Sequence, residues 1–572
     1  MSMSHNGSGV AARRNSADAA PHHPGRGGRA RDVPKGRQVD PAALAEVEAL
    51  LAGRAMRRDL LIEHLHLIQD AHGQISAAHL TALAELMRLS IAEVFEVASF
   101  YAHFDVVKED APTLPKLVVR VCDSIACSMA GGGEALLAAL QASVGPAARV
   151  VRAPCLGMCD HAPAVEVGHH FVRQATVPAV LETIAAGDTE PHVPPYVDYA
   201  EYLAGGGYRL LENLRRGAVS ADDVLAVLDD AQLRGLGGAG FPLARKWRSV
   251  RGEPGPRLMA VNADEGEPGT FKDRHYLNTD PHRFLEGMLI GAHAVEATDV
   301  YIYVRDEYPA ARTILANEMP KLPQGGPRLH LRRGAGAYIC GEESAMLESI
   351  EGKRGVPRHK PPFPFQIGLF GRPTLINNVE TLYWVRDLVE RGPAWWTSFG
   401  RNGRHGLRSF SVSGRVREPG VKLAPAGITV RELIDEYCGG MLPGHSFAAY
   451  LPGGASGGIL PAGLGDVPLD FGTLEPYGCF IGSAAVVVLS DHDDVRAVAL
   501  NLMRFFADES CGKCTPCRMG TQKACLLMQR PVWDRKLMEE LAQTMRDASI
   551  CGLGQAATNP LVAVLRHFEA PS

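Results

Sequence analysis

The chain lacks any long apolar stretch. Its longest apolar runs, such as SAAVVVLS at 483–490, fall far short of the roughly 20 residues that a membrane-spanning helix requires. No apolar segment follows Arg13 and Arg14, so a twin-arginine export signal is rejected. The net charge is only −5, which gives no reason to expect nucleic acid as a partner. We expect a cytoplasmic protein without a membrane span.

Large apolar side chains are almost absent from residues 1–38, which carry mainly Gly, Ser, His and Arg. Such a segment cannot bury enough apolar surface to fold, so we predict a disordered tail over 1–38. The chain as a whole has 46% hydrophobic and 22% charged residues, the composition of a soluble globular protein. Its length of 572 residues exceeds a single core and predicts several domains.

The pattern after the tail predicts a multidomain α/β chain. Asp40-Pro41 is a good helix start, and apolar residues at helical spacing follow it. The next segment reads β-α-β-β-α, the order of a thioredoxin-like domain. The predicted boundaries are a helical bundle at 39–110, a thioredoxin-like domain at 111–190, a proline-rich linker at 191–200, an α/β domain at 201–407, a β-grasp domain at 408–490 and a helical domain at 491–572.

Eight of the twelve cysteines fall into two groups. The later group is CGKCTPC, with Cys511, Cys514 and Cys517, followed at a distance by Cys551. Three closely spaced thiols and a remote fourth match the four corners of a [4Fe–4S] cluster. The alternative is zinc, which usually takes cysteines as two separate pairs. We therefore favour the [4Fe–4S] cluster.

The earlier group consists of Cys122 and Cys127, then Cys155 and Cys159. Each pair follows a predicted strand, so the two loops can meet at the same ends of adjacent strands. Four thiolates in that arrangement suit a [2Fe–2S] cluster. The alternative, a redox dithiol, expects the spacing C-x-x-C. For the four scattered cysteines we expect ordinary buried side chains.

The stretch RGLGGAGFP at 234–242 matches G-x-G-x-x-G through Gly235, Gly237 and Gly240. A Rossmann fingerprint needs a strand before the glycines, but here a predicted helix beginning after Ser220 precedes them. The remaining interpretation is a loop whose backbone N–H groups approach a flat or anionic ligand. A plain flexible loop is the alternative.

Two acidic turns strengthen the ligand interpretation. One contains Asn262, Asp264, Glu265 and Glu267, and the other contains Glu342 and Glu343. Carboxylates repel phosphate, so these acceptors suit ribose or ribityl hydroxyls and a carboxamide. Phosphates suit the cations Lys246 and Lys360, and Phe363 offers a stacking face. The alternative is that each turn is simply solvated or packed.

Together, LRGLGGAGFP, NADEGEPGTFKDR, GAYICGEESA, KPPFPF, INNVETL and ESCGKCTPCRMG resemble the motif series of the NADH-oxidising flavoprotein subunit of respiratory complex I. The first 190 residues resemble its small thioredoxin-like [2Fe–2S] subunit, here joined ahead of it in one chain. The same module serves as the diaphorase of NAD-reducing hydrogenases and of NAD-dependent formate dehydrogenases. The resemblance is strongest to the beta subunit of tungsten- or molybdenum-containing formate dehydrogenases.

The resemblance implies a Rossmann-like FMN-binding α/β domain, and it assigns residues by position. The implied FMN site comprises Gly235, Gly237, Gly238, Lys246, Asn262, Asp264, Glu265, Tyr338, Gly341, Glu342, Glu343, Asn377, Asn378 and Thr381. The residues implied near NAD(H) are Phe241, Glu267, Glu343, Lys360 and Phe363, with Glu267 and Glu343 closest to the chemistry. Two positions depart from relatives: many have an arginine where this chain has Leu236, and some have a further aromatic residue near Ser249 that could stack on adenine.

The resemblance further implies an NAD-dependent oxidoreductase that carries FMN, [4Fe–4S] and [2Fe–2S] and uses NAD. Its expected partner is a molybdopterin-type catalytic alpha subunit with further iron–sulfur clusters, because the chain has no recognisable pterin domain. A hydrogenase or complex I diaphorase is the first alternative. A non-catalytic scaffold held by structural zinc is the remote one.

Overall fold

The protein is described by a computed structural model over residues 37–108 and 111–568. Of the predicted disordered tail, residues 1–36 lie outside this described part. Within it, no helix combines the length and the apolar character needed to cross a membrane.

A group of helices begins the described chain. The elements are α1 (Pro41–Leu50), α2 (Leu61–His72), β1 (Ile75–Ser76), α3 (Ala77–Met87), α4 (Ile91–Ala98) and β2 (Val106–Val107). Asp40 accepts hydrogen bonds from the N–H groups of Ala42 and Ala43, at 2.8 and 2.9 Å. This N-cap satisfies two of the free donors at the start of α1, so the helix begins where the sequence predicts.

A small mixed sheet follows. Its elements are β3 (Leu117–Cys122), α5 (Ile125–Met129), α6 (Glu134–Ser143), β4 (Ala148–Ala153), β5 (Val165–Val167), β6 (His170–Val172) and α7 (Val177–Ala186). The strand order is β4-β3-β5-β6, with β3 and β4 parallel and the other pairs antiparallel. Parallel pairing places Cys122 opposite Ala153, so the loops that carry the four cysteines leave the same edge.

The central unit is a parallel sheet flanked by helices. Its elements are α8 (Tyr199–Ala204), α9 (Arg209–Arg215), α10 (Ala221–Asp230), α11 (Leu243–Arg251), β7 (Arg257–Ala263), α12 (Lys272–Thr279), α13 (Pro281–Ala294), β8 (Ala297–Val304), α14 (Pro309–Glu318), β9 (Arg328–Arg333), α15 (Glu343–Ile350), β10 (Thr374–Asn378), α16 (Val379–Tyr383), α17 (Val385–Arg391) and α18 (Pro393–Thr397). The strand order is β10-β7-β8-β9, all parallel.

The strand order of the central sheet reverses at β7. Strands β8 and β9 continue on one side of β7, while β10 pairs on the other side. In open α/β sheets, ligands bind at the carboxyl ends of the strands where the order reverses. Asn262 and Asn378 stand opposite each other at that point of β7 and β10.

A second mixed sheet and a helical segment complete the chain. The sheet contains β11 (Leu407–Gly414), β12 (Gly420–Pro425), β13 (Phe447–Leu451), β14 (Leu460–Pro461) and β15 (Ala485–Ser490), in the order β12-β11-β15-β13-β14, with the short α19 (Val430–Glu432) between β12 and β13. The helices are α20 (Val495–Asp508), α21 (Thr515–Met528), α22 (Arg535–Ala548), α23 (Gly552–Ala556) and α24 (Asn559–His567).

The apolar cores show how these units pack. One contiguous core joins the N-terminal helices, the second mixed sheet and the C-terminal helices. A second core lies within the central unit, and a third fills the first mixed sheet. The architecture is the predicted one: a helical bundle, a thioredoxin-like unit, an α/β unit, a β-grasp unit and a helical end.

Candidate functional site

A cavity of about 360 Å³ opens at the strand-order reversal of the central sheet, a volume typical of small-molecule sites. Three units supply its walls. The central unit contributes the glycine loop and both acidic turns, the β-grasp unit contributes Ser456, Phe480 and Ser483, and α23 contributes Gly552, Leu553 and Ala556.

The glycine loop lies between α10 and α11, so a helix precedes it as predicted. Thr381 anchors the loop because its Oγ1 accepts a hydrogen bond from Leu236 N at 2.8 Å. A Cβ at Gly237 would lie 2.9 Å from the Cβ of Asn378, too close for any other residue. In the described chain, the N–H groups of Gly237, Gly238 and Ala239 donate to no protein acceptor. They remain available to a ligand in the cavity.

The first acidic turn connects β7 to α12 and faces the cavity. Asn262 donates to the carbonyl of Gly341 at 2.9 Å and accepts from Asp264 N at 3.0 Å. The Oδ2 atom of Asp264 is buried without a hydrogen-bond partner among the described residues, and burial raises the pKa of this carboxyl well above its usual value. A ligand hydroxyl would satisfy that oxygen, so the turn fits a polyol chain.

Glu265 and Glu267 are fixed by hydrogen bonds of their own. Glu265 accepts from the backbone N–H groups of Asp273 and Arg274 and from the hydroxyl of Tyr308, at 2.9 to 3.1 Å. Burial, followed by the charge of Asp273, raises the pKa of Glu265 to about 7. Glu267 accepts from Ser456 N at 2.8 Å. These bonds make both carboxylates rigid parts of the wall.

A buried lysine balances the acidic wall. Lys272 is 1% exposed, and its Nζ lies 2.8 Å from Asp273 Oδ1 and 3.1 Å from Glu380 Oε2. Burial opposes its charge, but the two carboxylates raise the pKa of Lys272 above its usual value. It is the only cationic side chain among the described residues that line the cavity. The sequence pattern did not single it out, although it stands within the motif NADEGEPGTFKDR.

Ten of the eighteen residues predicted for FMN and NAD line this cavity. They are Gly237, Gly238, Asn262, Asp264, Glu265, Glu267, Tyr338, Gly341, Glu342 and Asn378. The described lining does not include the other eight, Gly235, Phe241, Lys246, Glu343, Lys360, Phe363, Asn377 and Thr381. All eighteen roles stay predictions.

Several of the eight residues outside the lining have visible tasks. Asn377 accepts a hydrogen bond from Trp247 Nε1 at 3.0 Å, which joins β10 to α11. Lys360 Nζ lies 2.9 Å from Glu342 Oε1 and 2.6 Å from Glu343 Oε1. Lys246 donates to the carbonyl of Ile376 at 3.2 Å. Burial lowers the pKa of Lys246; the nearby charge of Glu343 opposes this shift, and that of Lys360 adds to it.

Two aromatic residues predicted near NAD(H) project out of the core. Phe241 and Phe363 are 42% and 45% exposed, which is unusual for rings of this size. The Phe363 ring lies parallel to Phe365 at 6.0 Å, and Arg245 stands 5.6 Å from the centre of the Phe241 ring. Both rings are accessible to a ligand that reaches beyond the cavity.

The N-terminal cysteine set converges at the edge of the thioredoxin-like sheet. Cys122, Cys127, Cys155 and Cys159 are all 3% exposed or less. The Sγ atoms of Cys155 and Cys159 are 3.4 Å apart, and Gly157 N donates to Cys155 Sγ at 3.4 Å. Hydrogen bonds among the thiols lower the pKa of Cys155 and raise those of Cys122 and Cys159. Four converging sulfurs and no disulfide fit a [2Fe–2S] cluster.

The C-terminal cysteine set lies at two helix starts. Cys514 precedes α21, Cys517 lies in its first turn, and Cys551 precedes α23. Cys511, Cys514 and Cys551 are only half-buried, and burial raises the pKa of Cys517 and of Cys551 to about 11. The positive ends of helices stabilise thiolates and an anionic cluster. The donor set fits [4Fe–4S], and α23 brings it against the cavity wall.

Arg305 connects the first cysteine set to the cavity. It is 3% exposed and donates to the carbonyls of Glu265 and Cys155, each at 2.6 Å. Glu307 balances its charge at 2.9 Å. The ring of Tyr308 packs against the loop between Cys155 and Cys159, since a Cβ at Gly157 would lie 2.5 Å from that ring. No sequence signal pointed to Arg305 or Tyr308.

Comparison with protein families finds four matching models along the chain. They are a thioredoxin-like [2Fe-2S] ferredoxin over residues 47–187, a Nuo51 FMN-binding domain over 228–387, an SLBB domain over 409–460 and an NADH-ubiquinone oxidoreductase-F iron-sulfur binding region over 497–571. Their order agrees with that of the five units of the fold, since the first model spans both the helical bundle and the thioredoxin-like unit, and three of the models name the expected cofactors.

Relatives match over most of their length. An NADH-quinone oxidoreductase subunit of Rhizobium meliloti is 42% identical over 388 residues, which cover 64% of this chain and 92% of the relative. The mitochondrial NADH-ubiquinone oxidoreductase 51 kDa subunit of Neurospora crassa is 38% identical over 401 residues, which cover 66% of this chain and 80% of the relative. A solved NAD+-reducing [NiFe]-hydrogenase chain, in the H2-reduced state, matches with a TM-score of 0.79 and 32% identity, covering 90% of this chain and 93% of that chain.

Proposed function

The chain belongs to the family of NADH-oxidising 51 kDa flavoproteins of NADH-quinone oxidoreductase and is an NAD-dependent diaphorase, and we propose that it is the diaphorase (beta) subunit of an NAD-dependent formate dehydrogenase. Its cofactors are FMN, [4Fe–4S] and [2Fe–2S], with NAD as substrate. The proposal adds a molybdopterin-type alpha subunit, with tungsten or molybdenum and further iron–sulfur clusters, as the electron donor, and a cytoplasmic location.

Each wall of the cavity has a task in this function. When bound, FMN exchanges a hydride with the nicotinamide and single electrons with iron–sulfur centres. We propose that the free N–H groups of Gly237 and Gly238 bind its phosphate end. The Asp264 carboxylate would accept hydrogen bonds from the ribityl hydroxyls, and the Asn262 amide would donate to them. Lys272 balances the acidic wall. Tyr338 and Leu553 line the cavity on the side of the C-terminal cysteines, where they would keep water from the bound flavin.

The nicotinamide is expected beside Glu267 and Glu343. Glu267 is held by Ser456, and Glu343 by Lys360, so both can orient a carboxamide with fixed geometry. Phe241 and Phe363 would stack on the outer part of the dinucleotide. The proposed ligands of the two iron–sulfur clusters are the eight cysteines Cys122, Cys127, Cys155, Cys159, Cys511, Cys514, Cys517 and Cys551.

One observation supports formate in preference to hydrogen: the N-terminal cysteine set is complete, and its four side chains are buried together. The motif resemblance implies that fused hydrogenase diaphorases often lack some of these cysteines, so a complete set favours formate. The hydrogenase diaphorase stays the second candidate because a solved hydrogenase chain shares the fold over 90% of the length. In the native complex, formate-dependent NAD+ reduction without hydrogen-dependent reduction supports the proposal, and the reverse result contradicts it.

The nicotinamide assignment has a direct test in the isolated chain, which we expect to reduce dyes with NADH. Glu343→Gln should lower kcat/KM for NADH about tenfold or more, equivalent to about 1.4 kcal/mol of transition-state binding. Glu296→Gln, on a side chain that is 69% exposed, is the matched control. Unchanged turnover in the Glu343 variant would show that the nicotinamide binds elsewhere.

A further inference from the structure

Two imidazoles and a carboxylate converge in the N-terminal helical bundle. Glu46 comes from α1, His72 is the last residue of α2, and His79 lies in the first turn of α3. One ligand atom of each residue, a ring nitrogen or a carboxylate oxygen, lies within 4.8 Å of the other two. Three helices thus direct one ligand atom each toward a common point.

The backbone around the two histidines fixes their positions. Gly73, in the left-handed conformation with φ 70°, ends α2 directly after His72. Ser76 caps α3 by accepting a hydrogen bond from His79 N at 3.0 Å. The fully buried Ile75 joins these two elements. The geometry is therefore built into the chain before any ligand binds.

The protein leaves part of this cluster unsatisfied. His79 is only 8% exposed, and its Nε2 lies 3.2 Å from Glu46 Oε2. Its Nδ1 and the Nε2 of His72 are buried with no hydrogen-bond partner in the part of the chain that the structure describes. The two rings lie 4.4 Å apart. Buried ring nitrogens normally have a partner, so a ligand that accepts nitrogen lone pairs fits this place.

We propose that Glu46, His72 and His79 form a structural site for a divalent transition ion, of which zinc is the best match. Two imidazoles and one carboxylate are ligands that zinc accepts, whereas magnesium and calcium prefer oxygen. The Glu46 side chain is 56% exposed, so water can complete a tetrahedral shell. The ion would crosslink α1 to α2 and α3. Its three ligands all precede the eight proposed cluster cysteines in the sequence.

A second cluster of similar composition shows the contrast. His445, Asp491 and His492 also lie close together, but Asp491 and His492 are exposed. His445 Nδ1 is bonded to Ser490 Oγ at 2.8 Å, and Asp491 accepts from Ser446 N at 2.9 Å. Its groups are thus already partnered or solvated, so it carries no proposal.

The test uses the full-length, iron-loaded protein equilibrated with Zn²⁺ and then desalted. We expect one retained zinc per chain by elemental analysis, with the iron content unchanged. Zinc K-edge absorption should show nitrogen and oxygen ligands at about 2.0–2.1 Å with imidazole scattering. Sulfur ligands at about 2.3 Å would place the zinc in a cysteine site instead. That result, or no retained zinc, overturns the proposal.

Two variants localise the ion. His72→Gln should abolish retention, and Glu46→Gln should weaken zinc binding at least about tenfold, the loss seen for even an outer ligand-shell partner. Because Glu46 is exposed, its variant keeps the fold and gives a result even if the His72 variant does not fold. Glu48→Gln, also exposed on α1, is the matched control. Equal binding by wild type and Glu46→Gln would contradict the site.

Discussion

The two ends of the chain carry different notable contacts to the central unit and its cavity. Several buried or half-buried polar contacts join the N-terminal units to the central unit: His103 with Asp306 at 2.6 Å, Arg332 with Asp59 at 2.7 Å, Arg274 with Asp160 at 2.7 Å, and Arg305 with the Cys155 carbonyl. We call these contacts the polar seam. The C-terminal helices instead pack rings and aliphatic groups, such as Phe505 on Tyr338 at 4.9 Å, and this is the apolar seam.

The difference indicates distinct roles for the two cysteine sets. Residues 552, 553 and 556, directly after Cys551, line the cavity itself, so the half-buried C-terminal set lies between the cavity and the surface. The N-terminal set is fully buried, and Arg305 links it to the turn at Glu265 in the cavity wall. We infer that the C-terminal cluster lies on the main electron route and the N-terminal cluster beside it.

The largest expected effect separates the two cysteine sets. Cys551→Ser should remove the four-iron cluster and also lower the flavin-to-protein ratio, because the following residues form part of the cavity wall. Cys155→Ser should remove the two-iron cluster and leave the flavin content unchanged. Elemental iron, electron paramagnetic resonance and flavin absorbance measure both effects. Equal flavin loss in the two variants would show that the two cysteine sets do not differ in their relation to the cavity.

The polar seam should be most sensitive at Arg305. Arg305→Met removes the nearer cation of buried Glu307 and leaves it only His103, at 3.8 Å, so we expect a loss of about 3 kcal/mol in the free energy of unfolding, the lower end for a broken buried pair. Arg305→Lys keeps the charge and should recover part of this loss, though it cannot donate to two carbonyls in the same way. Denaturant unfolding measures both. A loss below about 1 kcal/mol for the Met variant would show that the bridge is dispensable.

The polar seam should also weaken at alkaline pH. Burial disfavours the charged imidazole of His103, but Asp306 and Glu307 outweigh it and raise its pKa to about 9. A folded pKa above the unfolded value of about 6.5 gives stability that is complete below pH 6.5 and is lost as the pH rises through 9. The loss is at most about 3 kcal/mol. His103→Gln should remove this pH dependence in denaturant titrations, and an unchanged slope would refute it.

The smallest effect is expected in the apolar seam. Leu553 is 8% exposed and borders the cavity. Leu553→Ala should cost about 2 kcal/mol, the lower end for such truncations, because the site can partly collapse or fill with water. The loss should not depend on pH between 6.5 and 9, unlike that of the polar seam. A pH-dependent loss at Leu553 would show that the two seams are not chemically distinct.

The sequence predicted the two cysteine groups and the order of units because these signals are local. Cys122 and Ala153 stand opposite each other in parallel strands, as the strand patterns before each cysteine pair implied. Lys272, Ser456 and Arg305 were overlooked for a physical reason. Their burial and partners come from distant segments, such as Glu380 for Lys272 and Glu267 for Ser456. No local pattern reports a contact of that kind.

The central claim is that the cavity between the glycine loop, the acidic turn and α23 binds FMN and exchanges reducing equivalents with NADH. Anaerobic titration of the purified, cluster-loaded chain with NADH tests this most directly. We predict one flavin per chain whose absorbance bleaches on addition of NADH, and Gly237→Ala, which would place a methyl group 2.9 Å from Asn378, should reduce the bound flavin. A folded, iron-containing protein without flavin, or with flavin that NADH does not bleach, would contradict the account.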